Sequence, residues 1–218
     1  DNPYKGEGIN AVLDKKYNEV LFTFFKGTNQ TVAFSEQMKN FSSFYSFTPV
    51  VYLQVNNSLF SINTSGSRSV NKHDIGEKGK FYGTYYDSKL DFLVNVGPGY
   101  TKTFDNVAYQ LESYSNNQTD GVIDEIRFHT DYQNTDWITT DTTNTRRVER
   151  EWKLAIPRNA VTNPDQDIFD NANLDATAKF KDRIRDKYMD VNIVIKNTSS
   201  NVKKMLHYVK TFFRISAR

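Results

Sequence analysis

Apolar and polar residues alternate with a period of two through most of this chain, in short runs bounded by Gly, Asn, Asp and Lys clusters. "GINAVLD" (residues 8–14) and "NEVLFTFF" (18–25) flank the turn-like "KKYN", and this spacing predicts an antiparallel pair. "QTVAFSE" supplies a third strand. "VVYLQV" and "SLFSIN" are separated by Asn56-Asn57, residues that tolerate positive φ, so a tight hairpin is expected there. Leading into the first of these is "NFSSFYSFTPVVYL" (40–53), which holds Phe41, Phe44, Tyr45, Phe47 and Tyr52 and no charge. Simple alternation puts Phe41, Tyr45 and Phe47 on one face and Phe44 on the other, which predicts core with Phe44 outside.

A polar, Gly-rich stretch, "NTSGSRSVNKHDIGEKGK" (63–80), suggests a boundary or long loop near residue 75. Beyond it the period resumes in "KFYGTYY", "KLDFLVNV", "TKTFDNVAYQLESY", "DEIRFHTDYQ" and "RRVEREWKLAIP". The segment 158–180 is polar and reads as an excursion loop with room for one short helix. "KYMDVNIVIKN" puts Val191, Ile193 and Ile195 on one face. "KKMLHYVKTFFRI" does the same with Met205, Val209, Phe213 and Ile215, so "NTSSN" is expected to close a hairpin between the two. The fold class that follows is all-β. Residues 1–75 hold enough strands for one propeller blade and the start of another, and 76–218 form an antiparallel, sandwich-like domain.

Composition agrees with this pattern: 16 Phe and 13 Tyr accompany Val, Ile and Thr, residue types that fit a pleated sheet. The absence of cysteine removes disulfides, thiolate metal sites and cysteine nucleophiles. No apolar run is long enough to span a bilayer, and "DNPYKGEGIN" lacks the pattern of a signal peptide, so a soluble chain is expected. The overall charge of +2 hides an asymmetry: ten Lys and Arg against three Asp from Lys181 onward give +7 there, leaving −5 on residues 1–180. Such a basic tail suits nucleic acid or acidic protein surface. Its charges alternate along strands instead of forming a run, which favours protein.

Candidate chemistry is sparse. His73, His129 and His207 have no metal-ligand spacing. Asp165 and Asp167 suggest a calcium loop, but Asp170 and Ala176 stand where that loop needs Gly and an acid. Asp124, Glu125, Glu149 and Glu151 could be paired as in a glycoside hydrolase, but Arg146, Arg147 and Arg150 are equally available to neutralise them. No nucleophile elbow, phosphate loop or dinucleotide fingerprint occurs, so no catalytic residue, metal or cofactor is assigned. Six Asn-x-Ser/Thr sequons, beginning at Asn29, Asn40, Asn56, Asn63, Asn117 and Asn197, are close to what this composition gives by chance. Exposed aromatics are the remaining candidates for a ligand or subunit contact. Trp137, Trp152, Phe44 and Tyr86 lead, with Tyr85 and Tyr132 as further rings on which a sugar could stack.

Taken in order, "GINAVLDKKYNEVLFTF", "FSSFYSFTP", "GKFYGTYYDSKLDFLVN", "KTFDNV", "EWKLAIPRN", "RIRDKYMDVNIVI" and "HYVKTFFRISAR" resemble the C-terminal part of the muzzle, or stabilization, protein family of crAss-like bacteriophages. The resemblance implies a virion component at the distal end of a short tail, assembled in the bacterial host cytoplasm. It further implies a homo-oligomeric ring around the channel for DNA and ejected proteins. Partners would be other copies of the chain and other tail proteins, whether portal or ring, fibre or spike, or ejected cargo; DNA would be met only in transit. It supplies no catalytic residue. The alternative from the residues alone is a carbohydrate-binding or receptor-binding β module of a tail, and a polysaccharide-degrading enzyme ranks behind it.

Overall fold

A computed structural model describes residues 8–25, 27–63, 69–114, 118–158, 183–197 and 202–216. All regular structure among them is β, and every strand pairing is antiparallel. Backbone contacts divide the chain into two compact units, Asp1–Tyr86 and Asp87–Arg218.

Unit 1 opens with a four-stranded meander in sequence order: β1 (Ile9–Asp14), β2 (Glu19–Phe24), β3 (Gln30–Ser35) and β4 (Asn40–Tyr45). The β1–β2 and β3–β4 turns place Asn18 and Lys39 at φ 53° each, and Gly27 at 73° lies between β2 and β3. These left-handed positions let consecutive strands reverse over a few residues. A second sheet joins β5 (Pro49–Val55), β6 (Ser58–Asn63) and β7 (Val70–Lys72), and the expected Asn56-Asn57 turn is present with Asn56 at φ 53°. β7 falls inside the stretch read from sequence as loop, because three residues are too few to show a period. The ribbon β8 (Lys80–Phe81) and β9 (Thr84–Tyr85) completes the unit. Its buried apolar cluster is small: Leu21, Ala33, Phe47 and Leu59, with Val12, Tyr45, Tyr52, Phe81 and Tyr82 packed against it.

Unit 2 comprises β10 (Ser88–Val94), β11 (Lys102–Tyr114), β12 (Gln118–Gly121), β13 (Glu125–His129), β14 (Ile138–Thr139), β15 (Thr145–Val148), β16 (Glu151–Ala155), β17 (Arg185–Asp186), β18 (Met189–Ile195) and β19 (Lys203–Ile215). "RRVEREWKLAIP" makes two strands, because Glu149 at φ 58° turns the chain. One sheet runs β10-β18-β13-β14. In the other, β19 pairs along one edge of the long β11, while β17, β16 and β12 pair in turn along its other edge and β15 lies outside β16. The hairpin expected between β18 and β19 is therefore not formed. β18 is the centre of the first sheet, and β19 matches the 13-residue length of β11 in the second.

Both sheets feed one core. Ile126, Phe128, Met189, Val191, Ile193 and Ile195 come from the first, and Phe104, Val107, Tyr109, Leu111, Trp152 and Leu154 from the second. Bulges decide which residues reach it. Asp105 is an extra residue in β11, so Phe104 and Val107 lie on the same side although three apart. His207 is an extra residue in β19, which brings Leu206 to the core in place of Met205; Ile215, at the strand's end, is 63% exposed. The segment 158–180 lies outside the described residues apart from Arg158, and the Asp165–Asp167 pair with it.

Ile193 is fully buried in the central strand β18, paired on both sides. Ile193→Ala should therefore cost about 2–5 kcal/mol, measured by urea unfolding. A loss under about 1 kcal/mol would contradict the central position of this strand.

Candidate functional site

In a sheet with one buried face, alternation normally sends apolar side chains inward and polar ones outward. The meander of unit 1 departs from this: Leu21 and Ala33 do face inward, but polar residues share that face with them. On its inner face Thr23 and Thr31 are fully buried, and Asp14 and Glu19 are 6% and 7% exposed. The hydroxyls satisfy one another: Thr23 Oγ1 lies 2.8 Å from Thr31 Oγ1 and 2.7 Å from the Tyr52 hydroxyl, and Thr31 Oγ1 donates to the Phe47 carbonyl at 2.5 Å. Tyr45 donates to Glu19 at 2.6 Å, and burial together with that carboxylate pushes its phenol well above the usual range. Across the unit, Ser61 Oγ lies 2.6 Å from both His73 Nε2 and the Tyr82 hydroxyl. Buried hydroxyls are tolerated only when paired, and these are.

The outer face is apolar instead. Register places Ile9, Ala11 and Leu13 of β1 beside Phe24, Phe22 and Val20 of β2. The same face continues through Val32 and Phe34 of β3 to Phe44 and Phe41 of β4, and Gln30 is its one polar position. Ile9 is 61% exposed, Phe41 59% and Phe44 75%. Phe41 corrects the sequence expectation that it points inward. Ser42 is a bulge between the pairs Ala33–Ser43 and Phe34–Phe41, so parity flips and Phe41 joins Phe44, in edge contact with Phe34 at 5.4 Å.

The second sheet repeats this arrangement. Tyr52, Leu59 and Ser61 face inward, while Val51, Leu53, Val55, Phe60, Ile62 and Val70 share the outer face with Lys72. Leu53, Val55 and Val70 are about half exposed. Covering Phe41 and Phe44 alone would remove roughly 270 Å² from water. At 25 cal/mol per Å² that is about 7 kcal/mol, more than a surface ion pair supplies.

The other aromatic candidates are scattered. Trp152 lies in the unit 2 core, 9% exposed, with its indole N–H buried. Tyr86 ends unit 1, its ring 6.4 Å from Phe81 and its amide donating to Gly79 O at 2.8 Å. Trp137 is 46% exposed, with the Arg127 guanidinium 5.0 Å from its ring centre. It stands beside a polar groove on the β10-β18-β13-β14 sheet, whose residues Lys89, Asp91, Arg127 and Asn192 carry no motif in sequence and are brought together only by register. The exposed faces of unit 1 were legible in principle, since their apolar residues fall at alternate positions, but not which face the fold would cover.

Three of the four hydrolase candidates are engaged elsewhere, and Glu149 sits in the β15–β16 turn. Asp124 accepts from Lys204 Nζ at 3.0 Å, Glu125 pairs with Lys196, and Glu151 accepts from Lys210 and from Tyr208. The Lys210 hydrogen bond holds Glu151 below the usual carboxylate range, the opposite of what a general acid needs. Among the described residues no group of three His, Asp or Glu is placed to hold a metal, and no helix is long and apolar enough to cross a membrane.

These ion pairs also resolve the charge asymmetry. The basic C-terminal strands meet acidic strands of their own unit, with Arg183 and Arg214 on Asp105, Lys196 on Glu125, Lys204 on Asp124, His207 on Glu112 and Lys210 on Glu151. Among the described residues, then, much of the tail's charge is spent inside unit 2.

Comparison with known families decides the identity. Residues 1–65 match the crassvirus muzzle protein family model, and residues 76–159 match the model of the crassvirus muzzle protein C-terminal domain. The chain belongs to the crassvirus muzzle protein family. No curated protein matches it. The muzzle assignment makes it a structural tail protein of a crAss-like phage, a component of the virion tail that assembles with itself and with other tail proteins. Its two family matches fall on either side of residues 66–75, and the strands of the two exposed apolar faces lie within the first except β7 (Val70–Lys72).

Burial holds the His73 pKa below its ordinary 6.5, with Asp74 and Asp14 opposing the shift. Because the unfolded chain takes up the proton first, this contribution to stability is complete above pH 6.5 and is lost as pH falls from there toward the folded value. Thermal unfolding should show a midpoint that falls between about pH 7.5 and 5.5, with a smaller fall in His73→Gln. An equal fall in both would remove His73 as the cause.

Proposed function

We propose that this muzzle chain is a wall element of the tail, forming a homo-oligomeric ring around the channel through which DNA and ejected proteins pass. One observation carries the reading: both sheets of unit 1 turn their apolar faces to solvent. Contiguous apolar surface beyond a few hundred Å² marks an interaction site, and two such faces on one unit suit a part that is built into an assembly.

The strand order supports a finer reading. A four-stranded antiparallel meander followed by a second sheet packed on its inner face is what propeller blades look like, and a blade expects a neighbour on each side. Unit 1 would then be one complete blade and part of the next, with Phe41 and Phe44 on the surface that receives another sheet. In this reading unit 2, Asp87–Arg218, is the sandwich-like domain expected over residues 76–218 and joins other tail proteins, the protein is assembled in the host cytoplasm, and it performs no catalysis.

Electron microscopy of the purified assembly should show a closed ring with a central channel. Phe44→Glu combined with Leu53→Glu should prevent assembly while leaving the circular dichroism spectrum unchanged, since both side chains are on outer faces. A stable monomer absent from virions, or a double variant that assembles normally, would contradict the proposal.

A further inference from the structure

The outer face of the β10-β18-β13-β14 sheet is polar and carries a groove of about 440 Å³ lined by Lys89, Asp91, Glu125, Arg127, Trp137 and Asn192. The volume is within the range of small-molecule sites. Its groups form a connected row across the sheet. Asp91 stands opposite Asn192, and Asn192 opposite Arg127. Asn192 donates to Asp91 at 2.7 Å and accepts from Arg127 Nε and Nη2 at 3.0 and 2.9 Å, and Arg127 lies against Trp137. Two residues along β18, on the same face, Val194 sits between Lys89 and Glu125 at 6% exposure and gives the groove an apolar floor flanked by a donor and an acceptor. These side chains are held by strands and by one another, which fixes their positions before any ligand arrives.

We infer that this groove is a binding site for a neutral pyranose sugar, with Trp137 as the stacking face. A pyranose needs a flat apolar surface for its C–H face and a fringe of mixed donors and acceptors for hydroxyls that do both. Trp137, 46% exposed, supplies the first on the ring face opposite the Arg127 guanidinium. Asp91 and Glu125 accept, Lys89 and Arg127 donate, and among the described residues Lys89 has no ion-pair partner, so its ammonium is available. Asp87 adds a third carboxylate at the rim, which opposes an anionic ligand, while the two cations oppose a cationic one. A neutral, hydroxyl-rich ring is what remains. The site goes beyond the assembly role, because it belongs to unit 2 and shares no residue with the apolar faces of unit 1.

The test is titration of the whole chain with the methyl glycosides of glucose, galactose, mannose and N-acetylglucosamine, followed by tryptophan fluorescence. Trp152 is buried, so a change on binding reports Trp137. At least one neutral glycoside should give a saturable change with half-saturation in roughly the millimolar range or tighter. By isothermal calorimetry, which does not depend on the tryptophan signal, Trp137→Ala should abolish binding, Asp91→Ala should weaken it about tenfold as a charge-assisted hydrogen bond is lost, and methyl glucuronide should bind no tighter than methyl glucoside. Should Trp137→Ala fail to fold, Lys89→Ala and Asp91→Asn serve in its place, each expected to weaken binding, with isothermal calorimetry as the readout. No saturable change with any of the glycosides, binding indifferent to these substitutions, or a preference for the glucuronide would overturn the assignment. A sugar-silent chain that still forms rings would remove this site and leave the assembly proposal intact.

Discussion

A strand's period of two lets a sheet carry a different chemistry on each face, and unit 1 depends on how that freedom is used. Its inner faces are joined by Thr23, Thr31, Tyr52, Ser61, His73 and Tyr82, whose side chains close on one another in short hydrogen bonds. Around them the buried apolar cluster amounts to four residues. Paired hydroxyls contribute modestly to net stability but specify geometry closely, because each one left unpaired would cost about 1–3 kcal/mol. The unit therefore gains definition from its interior, and keeps its largest reserve of apolar surface for something outside itself. Phe41, Phe44, Leu53 and Val55 represent stabilisation not yet realised. Under the proposed assembly role, folding would fix the shape and association would supply much of the hydrophobic free energy.

Unit 2 is organised the other way. Among the described residues it buries fourteen apolar side chains in one cluster, drawn from both of its sheets and from Ile123 and Ile184 between strands. Its outer surfaces are laced with ion pairs between the basic C-terminal strands and the acidic strands before them. Such pairs contribute little individually; Arg214 on Asp105 and His207 on Glu112 join β19 to β11, while Lys204 and Lys210 of β19 reach Asp124 and Glu151 beyond it. Asp105 shows how closely this is bound to the backbone: the bulge that resets the parity of β11 also presents the carboxylate that receives Arg183 and Arg214. The charge difference between the two ends of the sequence thus becomes a contact within one unit, and the case for an external acidic or nucleic-acid partner rests on less than the sequence suggests.

Much of the strand pattern was legible in the sequence, and the reason is local. β1, β2, β3, β5, β6, β10, β11, β13 and β18 each carry enough alternating residues to announce themselves, and Asn56 marks its turn by a side chain that tolerates positive φ. The failures share a different cause. Phe41 was assigned to the wrong face because Ser42 adds one residue to β4, and Met205 gave way to Leu206 because His207 does the same in β19. A bulge has no composition of its own in these strands; it appears only when a strand is laid against its partner. The supposed β18–β19 hairpin failed for a related reason, since adjacency in sequence says nothing about whether a strand of matching length waits elsewhere, as β11 does for β19. The groove beside Trp137 was half legible: the tryptophan could be proposed as an exposed ring, but Asp91, Arg127 and Asn192 come from strands far apart and meet only through register.

The central claim is that the apolar outer faces of unit 1 are covered in the assembled tail. Hydroxyl-radical footprinting read by mass spectrometry, applied to the isolated chain and to intact virions, measures this at single side chains. The account predicts that Phe41, Phe44 and Leu53 are oxidised readily in the isolated chain and strongly protected in the virion, while Tyr132, exposed on unit 2, serves as an internal comparison. Equal oxidation of Phe41 and Phe44 in both states would contradict it.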